Sequence, residues 1–352
     1  MSIQSMRLRY LSIIAIAVCF TVCCSHIGRT VIISEPQDYL LITDTVKVIP
    51  KHCDVPFLMP MRVLVTDNHL VIANRNTGKA FIIYNLPLNG DGFEAVHFGR
   101  GPEELIDPDF MSMTAKDGMV MVADADDYMK SFSIGNGKVG LYEKQRMFIE
   151  SLQNGVMMVR NRFLNYNINN RDTQPYEFSI SRPDGSQGFI SESPHWDDSI
   201  EESSIQGALI YTNCHVAQPH GDRIAEFYTR FRKVRIVDIH GRLLSETAIN
   251  YPNSSERIHD QPDGSGGYYQ TYGMVVASDD RIVAQAINAM RLAPPEGCSE
   301  FQVWDWDGNL LKRIMIKEPI NNFAVDFVSG HLYGICAGNE DTVFFADIKE
   351  ML

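Results

Sequence analysis

From about residue 39 the chain is built of short apolar or alternating runs punctuated by Gly, Asn and Asp, and long amphipathic helical patterns are missing. One unit recurs. A polar turn followed by an apolar strand occurs at Asp67–His69 before Leu70–Ala73, at Asp117–Gly118 before Met119–Val122 and at Gln153–Gly155 before Val156–Val159. It returns at Gly221–Arg223 before Ile224–Phe227, at Asp279–Arg281 before Ile282–Ala284 and at Ser329–His331 before Leu332–Ile335. The spacings between these strands, 49, 37, 68, 58 and 50 residues, average about 52, a propeller-like period. Each copy follows another strand candidate, such as Arg62–Val65, Met274–Ala277 or Phe323–Phe327. Each also precedes a third, at Phe81–Tyr84, Phe132–Ile134, Phe178–Ile180, Val234–Val237, Phe301–Trp304 and Val343–Ala346. Five of the third strands lead into turns that tolerate positive φ: Gly90–Gly92, Asn136–Gly137, Asp184–Gly185, His240–Gly241 and Asp307–Gly308.

The pattern predicts an all-β, six-bladed β-propeller with four-stranded antiparallel blades. The sixth copy runs out of chain after its third strand, so its fourth must come from elsewhere. The segment from Tyr39–Ile42 through Val46–Ile49 is the expected donor, pairing beside Val343–Ala346 and sealing the ring. A pair of β-sandwiches is the competing arrangement. The uneven spacings imply a lean third blade, followed by a loop-like insertion near Ser191–Gly207.

The opening residues give an address. Arg7 and Arg9 precede the apolar run Leu11–Val22, which has signal-peptide length and falls short of the roughly 20 residues a membrane span needs. Its end, Cys23-Cys24-Ser25, resembles the lipobox of bacterial lipoproteins, with Cys24 as the expected lipidated residue and Cys23 as the alternative; an ordinary cleaved secretory signal is the other reading. The expected organisation is a signal over 1–24, a tether over 25–38 and the propeller over 39–352. Cys53, Cys214, Cys298 and Cys336 then lie in an oxidising compartment, and their spacing suggests buried thiols or one incidental bridge.

The stretch Val96-His97-Phe98-Gly99-Arg100-Gly101-Pro102-Glu103-Glu104-Leu105 resembles the G-x-G-P-G-E motif of the TolB-like six-bladed propeller lipoproteins of Gram-negative bacteria, with Glu103 in place of the third glycine. Leu41–Pro50 adds a less specific likeness. The resemblance implies a propeller fold and an outer-membrane lipoprotein; function must be read from the residues. Gly99, Gly101 and Pro102 suit a tight crossing between blades, with Glu104 accepting backbone N–H groups or, with Arg100, facing a ligand.

Composition changes this picture only at the margins. At 45% apolar and 21% charged the 352 residues are ordinary globular material, and a formal charge of -13 disfavours a nucleic-acid partner. No hydrolase elbow is present, and Cys214, His215 and His220 have poor spacing for a metal. Asp124-Ala125-Asp126-Asp127 is either a solvated turn or one corner of a lactonase-like cation site. The stronger recognition candidate is the glycine-rich loop Asp263–Gly273 with Tyr268, Tyr269 and Tyr272, joined by Trp196 and Arg230, because tyrosines offer flat apolar faces with polar tips at low entropic cost. The expectation is a non-enzymatic binding module for a glycan, peptide or envelope protein, with no cofactor and no metal. It is held to the membrane by lipid alone, facing the periplasm. A cation-dependent hydrolase or lyase in the channel and a structural part of an envelope complex are the alternatives.

Overall fold

The computed structural model describes residues 29–33, 42–75, 78–88, 91–147, 156–159, 162–166, 176–181, 186–194, 196, 211–249, 269–290, 297–336 and 338–352. Strands β1 (Arg29–Ile33), β2 (Thr43–Val46) and β3 (Ile49–His52) precede the first blade. Blade one holds β4 (Pro60–Thr66), β5 (His69–Asn74), β6 (Lys79–Asn85) and β7 (Phe93–His97). Blade two holds β8 (Pro108–Lys116), β9 (Met119–Asp124), β10 (Tyr128–Gly135) and β11 (Lys138–Arg146). Blade three holds β12 (Val156–Val159), β13 (Arg162–Tyr166), β14 (Tyr176–Ser181) and β15 (Gln187–Glu192). Blade four holds β16 (Asn213–Ala217), β17 (Arg223–Tyr228), β18 (Lys233–Asp238) and β19 (Leu243–Ile249). Blade five holds β20 (Tyr269–Ala277), β21 (Ile282–Met290), β22 (Ser299–Trp304) and β23 (Leu310–Ile316). Blade six holds β24 (Ile320–Asp326), β25 (His331–Cys336) and β26 (Thr342–Asp347), and takes β3 as its fourth strand.

The chain is therefore a six-bladed propeller of antiparallel four-stranded sheets. The first strand of each blade faces the axis: β4 is flanked by β24 and β8, and β20 by β16. Asn322 on β24 ties two of them together, its Oδ1 accepting from Val63 N at 3.0 Å and its Nδ2 donating to Met61 O at 2.8 Å. Second strands are covered on both faces by neighbouring blades, so β5, β9, β17 and β25 are buried at every position after the first. Outer strands meet solvent, and β11 is exposed over most of its length. Rings lock the blades together. Phe81 meets Phe132 edge-on at 5.7 Å between blades one and two, Phe227 meets Tyr272 at 5.2 Å between four and five, and Phe301 meets Phe323 at 4.8 Å between five and six. Each such ring contributes roughly 1.5–3 kcal/mol by leaving water. The β10–β11 hairpin turns on Asn136 and Gly137, both at positive φ (52° and 68°), the two-residue geometry that suits strand twist.

Closure of the ring differs from expectation in its register. Val46 pairs with Ile316 on blade five, and the strand beside Val343 is β3, with Lys51 opposite Val343 and Ile49 opposite Phe345. The reason is burial: Val48 sits between blades five and six in one apolar cluster with Val46, Ile316 and Ala346, so the chain must change blades there. Thr43–Val46 adds a fifth, parallel strand to blade five, and β1 does the same outside β19 of blade four, within the stretch expected to be a tether. Blade three also differs. Val156–Val159 is its inner strand, not the second, because it stands at the edge of the sheet and pairs with β13 alone; Gln153–Gly155 lie outside the described residues, and the second strand begins at Arg162. Counted from there, the outlying spacings become 43 and 61 residues (Met119 to Arg162, Arg162 to Arg223). The signal segment 1–24, with Cys24, lies outside the described residues.

Candidate functional site

The corner of blade four at which β17 turns into β18 gathers an aromatic cluster. Trp196 meets Tyr228 edge-on at 4.5 Å and Phe231 at 5.0 Å, while Tyr211 stacks on Phe231 at 5.2 Å. Lys233 Nζ lies 4.6 Å from the Trp196 ring centroid, an arrangement in which the ring's negative face attracts the cation. Trp196 Nε1 donates to Glu246 Oε2 at 3.2 Å, and Lys233 Nζ approaches the other oxygen of Glu246 at 3.8 Å. Trp196 itself is half-buried, so the corner presents an indole framed by one cation and one carboxylate.

Beneath it, a polar network fills the wedge between blades three and four. Tyr228 Oη donates to Glu226 at 3.0 Å and lies 3.3 Å from Glu177, and Asn213 Nδ2 donates to Glu177 at 3.3 Å. Arg235 Nη1 donates to Tyr228 Oη and to Glu192 O, and reaches Glu226 at 3.6 Å. Burial works against the Arg235 cation, but Tyr228, Glu226 and Glu177 outweigh it and raise its pKa further. Glu177 and Glu226 are fully buried, which is tolerable because these partners, with Ser191 Oγ donating to Glu226 Oε1 at 3.1 Å, answer their oxygens. The network ends at the channel. Asn213 Oδ1 lies 3.2 Å from His215 Nδ1, and the His215 ring packs on Tyr166 and Phe178 of blade three. Burial first, and then the charge of Arg62, push the His215 pKa down to about 4, leaving a neutral imidazole at neutral pH.

The other predicted residues fall in several places. Arg230 is half-buried and engaged at the same corner as Trp196, and Thr271 N donates to Thr229 O at 2.7 Å, which brings the start of β20 against it. Tyr269 pairs with Met290 at the beginning of β20. Tyr268 lies outside the described residues. Tyr272 is 1% exposed, wedged against Phe227 with its hydroxyl on Gln302 Oε1 at 3.1 Å, so its ring serves the blade interface. Arg100 and Glu104 belong to the blade one to two crossing and not to this corner. Arg100 is exposed, whereas Glu104 Oε2 accepts from Gly101 N at 2.7 Å. A Cβ on Gly99 or Gly101 would run into the Glu104 carboxylate, so these glycines supply space and not a positive φ. Next to the crossing, a groove of about 340 Å³ is lined by Val96, Gly101, Glu104, Phe132 and Leu141 among others.

Asp124 has a structural task. Its carboxylate meets Lys130 Nζ at 2.5 Å and accepts from the N–H groups of Ile106, Asp107 and Ala125. Asp126 completes the cluster with Lys130 and Lys144. Among the described residues, no three His, Cys, Asp or Glu side chains are grouped to hold a metal ion.

Sequence reading missed Arg62, Glu177, Glu226, Lys233 and Arg235. A signal was present in two of them: a lone charge inside an apolar run, as in Met61-Arg62-Val63-Leu64-Val65 and Ile224-Ala225-Glu226-Phe227, requires a partner or a purpose.

No protein-family model matches the chain, and no curated protein matches it. Solved structures do. A member of the DUF4221 family from Bacteroides vulgatus ATCC 8482 superposes with a TM-score of 0.53 at 10% identity, over 85% of this chain and 95% of that one. A candidate exported protein of Bacteroides fragilis NCTC 9343 gives 0.52 at 8% identity, over 91% and 99%. At these identities the likeness is one of fold.

Proposed function

We propose that the chain is a TolB-like cell-envelope lipoprotein, anchored through Cys24 to the outer membrane and facing the periplasm, whose propeller binds a glycan, a peptide or a partner protein without transforming it. The signal-length apolar run ending at Cys24 supports the address, as does the fold likeness to a protein named as a candidate exported protein. Cys24→Ser should move the protein from the membrane to the soluble fraction; membrane retention by the variant would contradict lipid anchoring there.

The observation that carries the binding reading is the Trp196 corner. An indole, a tyrosine-rich support and an opposed Lys233–Glu246 pair together give apolar area with polar edges, the composition by which sugars and peptides are held. It also provides its own reporter. Trp304 is fully buried and Trp306 nearly so, at 4% exposed, which leaves Trp196 as the accessible one of the three tryptophans. Titration with libraries of neutral oligosaccharides and short peptides should shift or quench Trp196 emission for one class. Trp196→Ala should weaken that binding by about 2 kcal/mol or more in calorimetry, as loss of a central aromatic does. Equal affinity in the variant, or no response to either library, would contradict the assignment.

A further inference from the structure

We infer that the axial channel is a second binding site, built to hold the carboxylate of a small monoanionic ligand on the guanidinium of Arg62. This stands on observations separate from the Trp196 corner and does not depend on that reading.

Arg62 leaves β4 of blade one and crosses the lumen. Its Nη2 donates to Val275 O on β20 of blade five at 3.4 Å, and its charge is felt by Cys214 and His215 on β16 of blade four, the blade opposite. The guanidinium is therefore on the propeller axis. Among the described residues that one long hydrogen bond is the only one it makes, and Nε is buried with no acceptor among them. An arginine offers five N–H donors in a planar fork, so most of this fork is unused.

The nearest acid does not neutralise it. Asp109 on β8 acts on Arg62 through space, but its carboxylate is held by its own strand. A bulge displaces β8 between Asp109 and Thr114, and inside it Met111 N donates to Asp109 Oδ1 at 3.1 Å while Ser112 Oγ donates to Oδ2. Ser112 is fixed in turn, accepting from Val156 N at 2.6 Å on the next blade. The carboxylate that would close an ion pair is thus tied back. Stripping of water lowers the Arg62 pKa to about 10, with Cys214 and Asp109 pulling it weakly upward, and the group remains a cation at neutral pH. A half-buried cation with one weak bond and a buried, unanswered Nε is costly, and an anion supplied from solution relieves that cost.

The chemistry of the lumen selects the anion. The Nε–Nη edge of a guanidinium presents two parallel donors that match the two oxygens of a carboxylate. Asp109 adds negative charge nearby, so a dianionic phosphate is poorly balanced. His215 is neutral and Cys214 has its thiol pushed up to about 12 by burial, so neither adds charge of its own. Arg62 is therefore the cation that these groups leave to the ligand's carboxylate.

Benzoate serves as the probe, with methyl benzoate and inorganic phosphate as controls at matched ionic strength. In the full-length protein, benzoate should move the Arg62 Nε–H cross-peak, which Arg62→Lys identifies by its loss, and should raise Tm, saturating with a Kd near about 1 mM. Arg62→Met should fold with a Tm equal to or above that of the parent, since an uncompensated, partly desolvated charge has been removed, and should lose the response to benzoate. Arg62→Lys keeps the charge without the fork and should bind at least about tenfold more weakly. Asp109→Asn should tighten benzoate. The inference is overturned if benzoate leaves the Arg62 signal unmoved, if Arg62→Met still responds, or if phosphate or methyl benzoate shifts the signal more than benzoate does.

Discussion

Two histidines five residues apart in the sequence are given opposite protonation behaviour by their surroundings. His215 is hemmed in by Tyr166, Phe178 and the Arg62 cation, which favour the neutral ring. His220, between β16 and β17, is exposed, and its pKa is raised by its hydrogen bond to Asp279 at 2.8 Å and then by Asp117 at 3.4 Å. The signs follow from linkage. The contribution of His220 is complete below the unfolded value of about 6.5 and disappears as pH rises through the folded pKa. His215 acts in reverse: between pH 6.5 and about 4 the unfolded chain takes up a proton that the folded one refuses, so stability falls as pH falls, by about 3 kcal/mol at most. An imidazole NMR titration should show His220 titrating above pH 6.5 and His215 silent between pH 5 and 8. A His215 midpoint above 6 would mean that the channel is wetter and less cationic than described.

At the scale of elements, the strands easiest to find were those whose surroundings are simplest. Second strands such as Leu70–Ala73 and Met119–Val122 are apolar throughout because neighbouring blades cover both faces, and turns such as Asn136–Gly137 announce themselves by residue type. Val156–Val159 was harder, since a polar turn precedes inner and second strands alike and only pairing decides which is which. The closing strand was legible in existence and misplaced in register, because Ile49–His52 carries a proline and is mostly exposed, while the apolar Val46 and Val48 serve the gap between blades. The site was less legible still. Lys130 and Asp124 look like unrelated surface residues in sequence, yet they are 1% and 0% exposed and pin the blade one to two crossing through Glu104 O. Lys130→Met should cost about 3–5 kcal/mol in urea unfolding, because it strands a buried carboxylate, and a loss below about 1 kcal/mol would show the pair to be dispensable.

Across the whole molecule, both candidate sites are products of the ring. Arg62, Asp109, His215 and Val275 come from blades one, two, four and five, and no single blade could assemble them. The ring holds because residues near its two ends share one sheet: β3 pairs with β26, and the pairing extends through Cys53 N to Asp341 O and Phe57 N to Glu340 O, each at 2.7 Å. Opening that seam would expose two strand edges and release the contacts between blades five, six and one, so it should occur only with global unfolding. Hydrogen exchange read by mass spectrometry tests this most directly. Peptides covering 49–57 and 340–347 should exchange together, as slowly as those from β5 and β9. Rapid exchange of 49–57 while β5 and β9 stay protected would contradict closure by this strand, and with it the geometry on which the channel site rests.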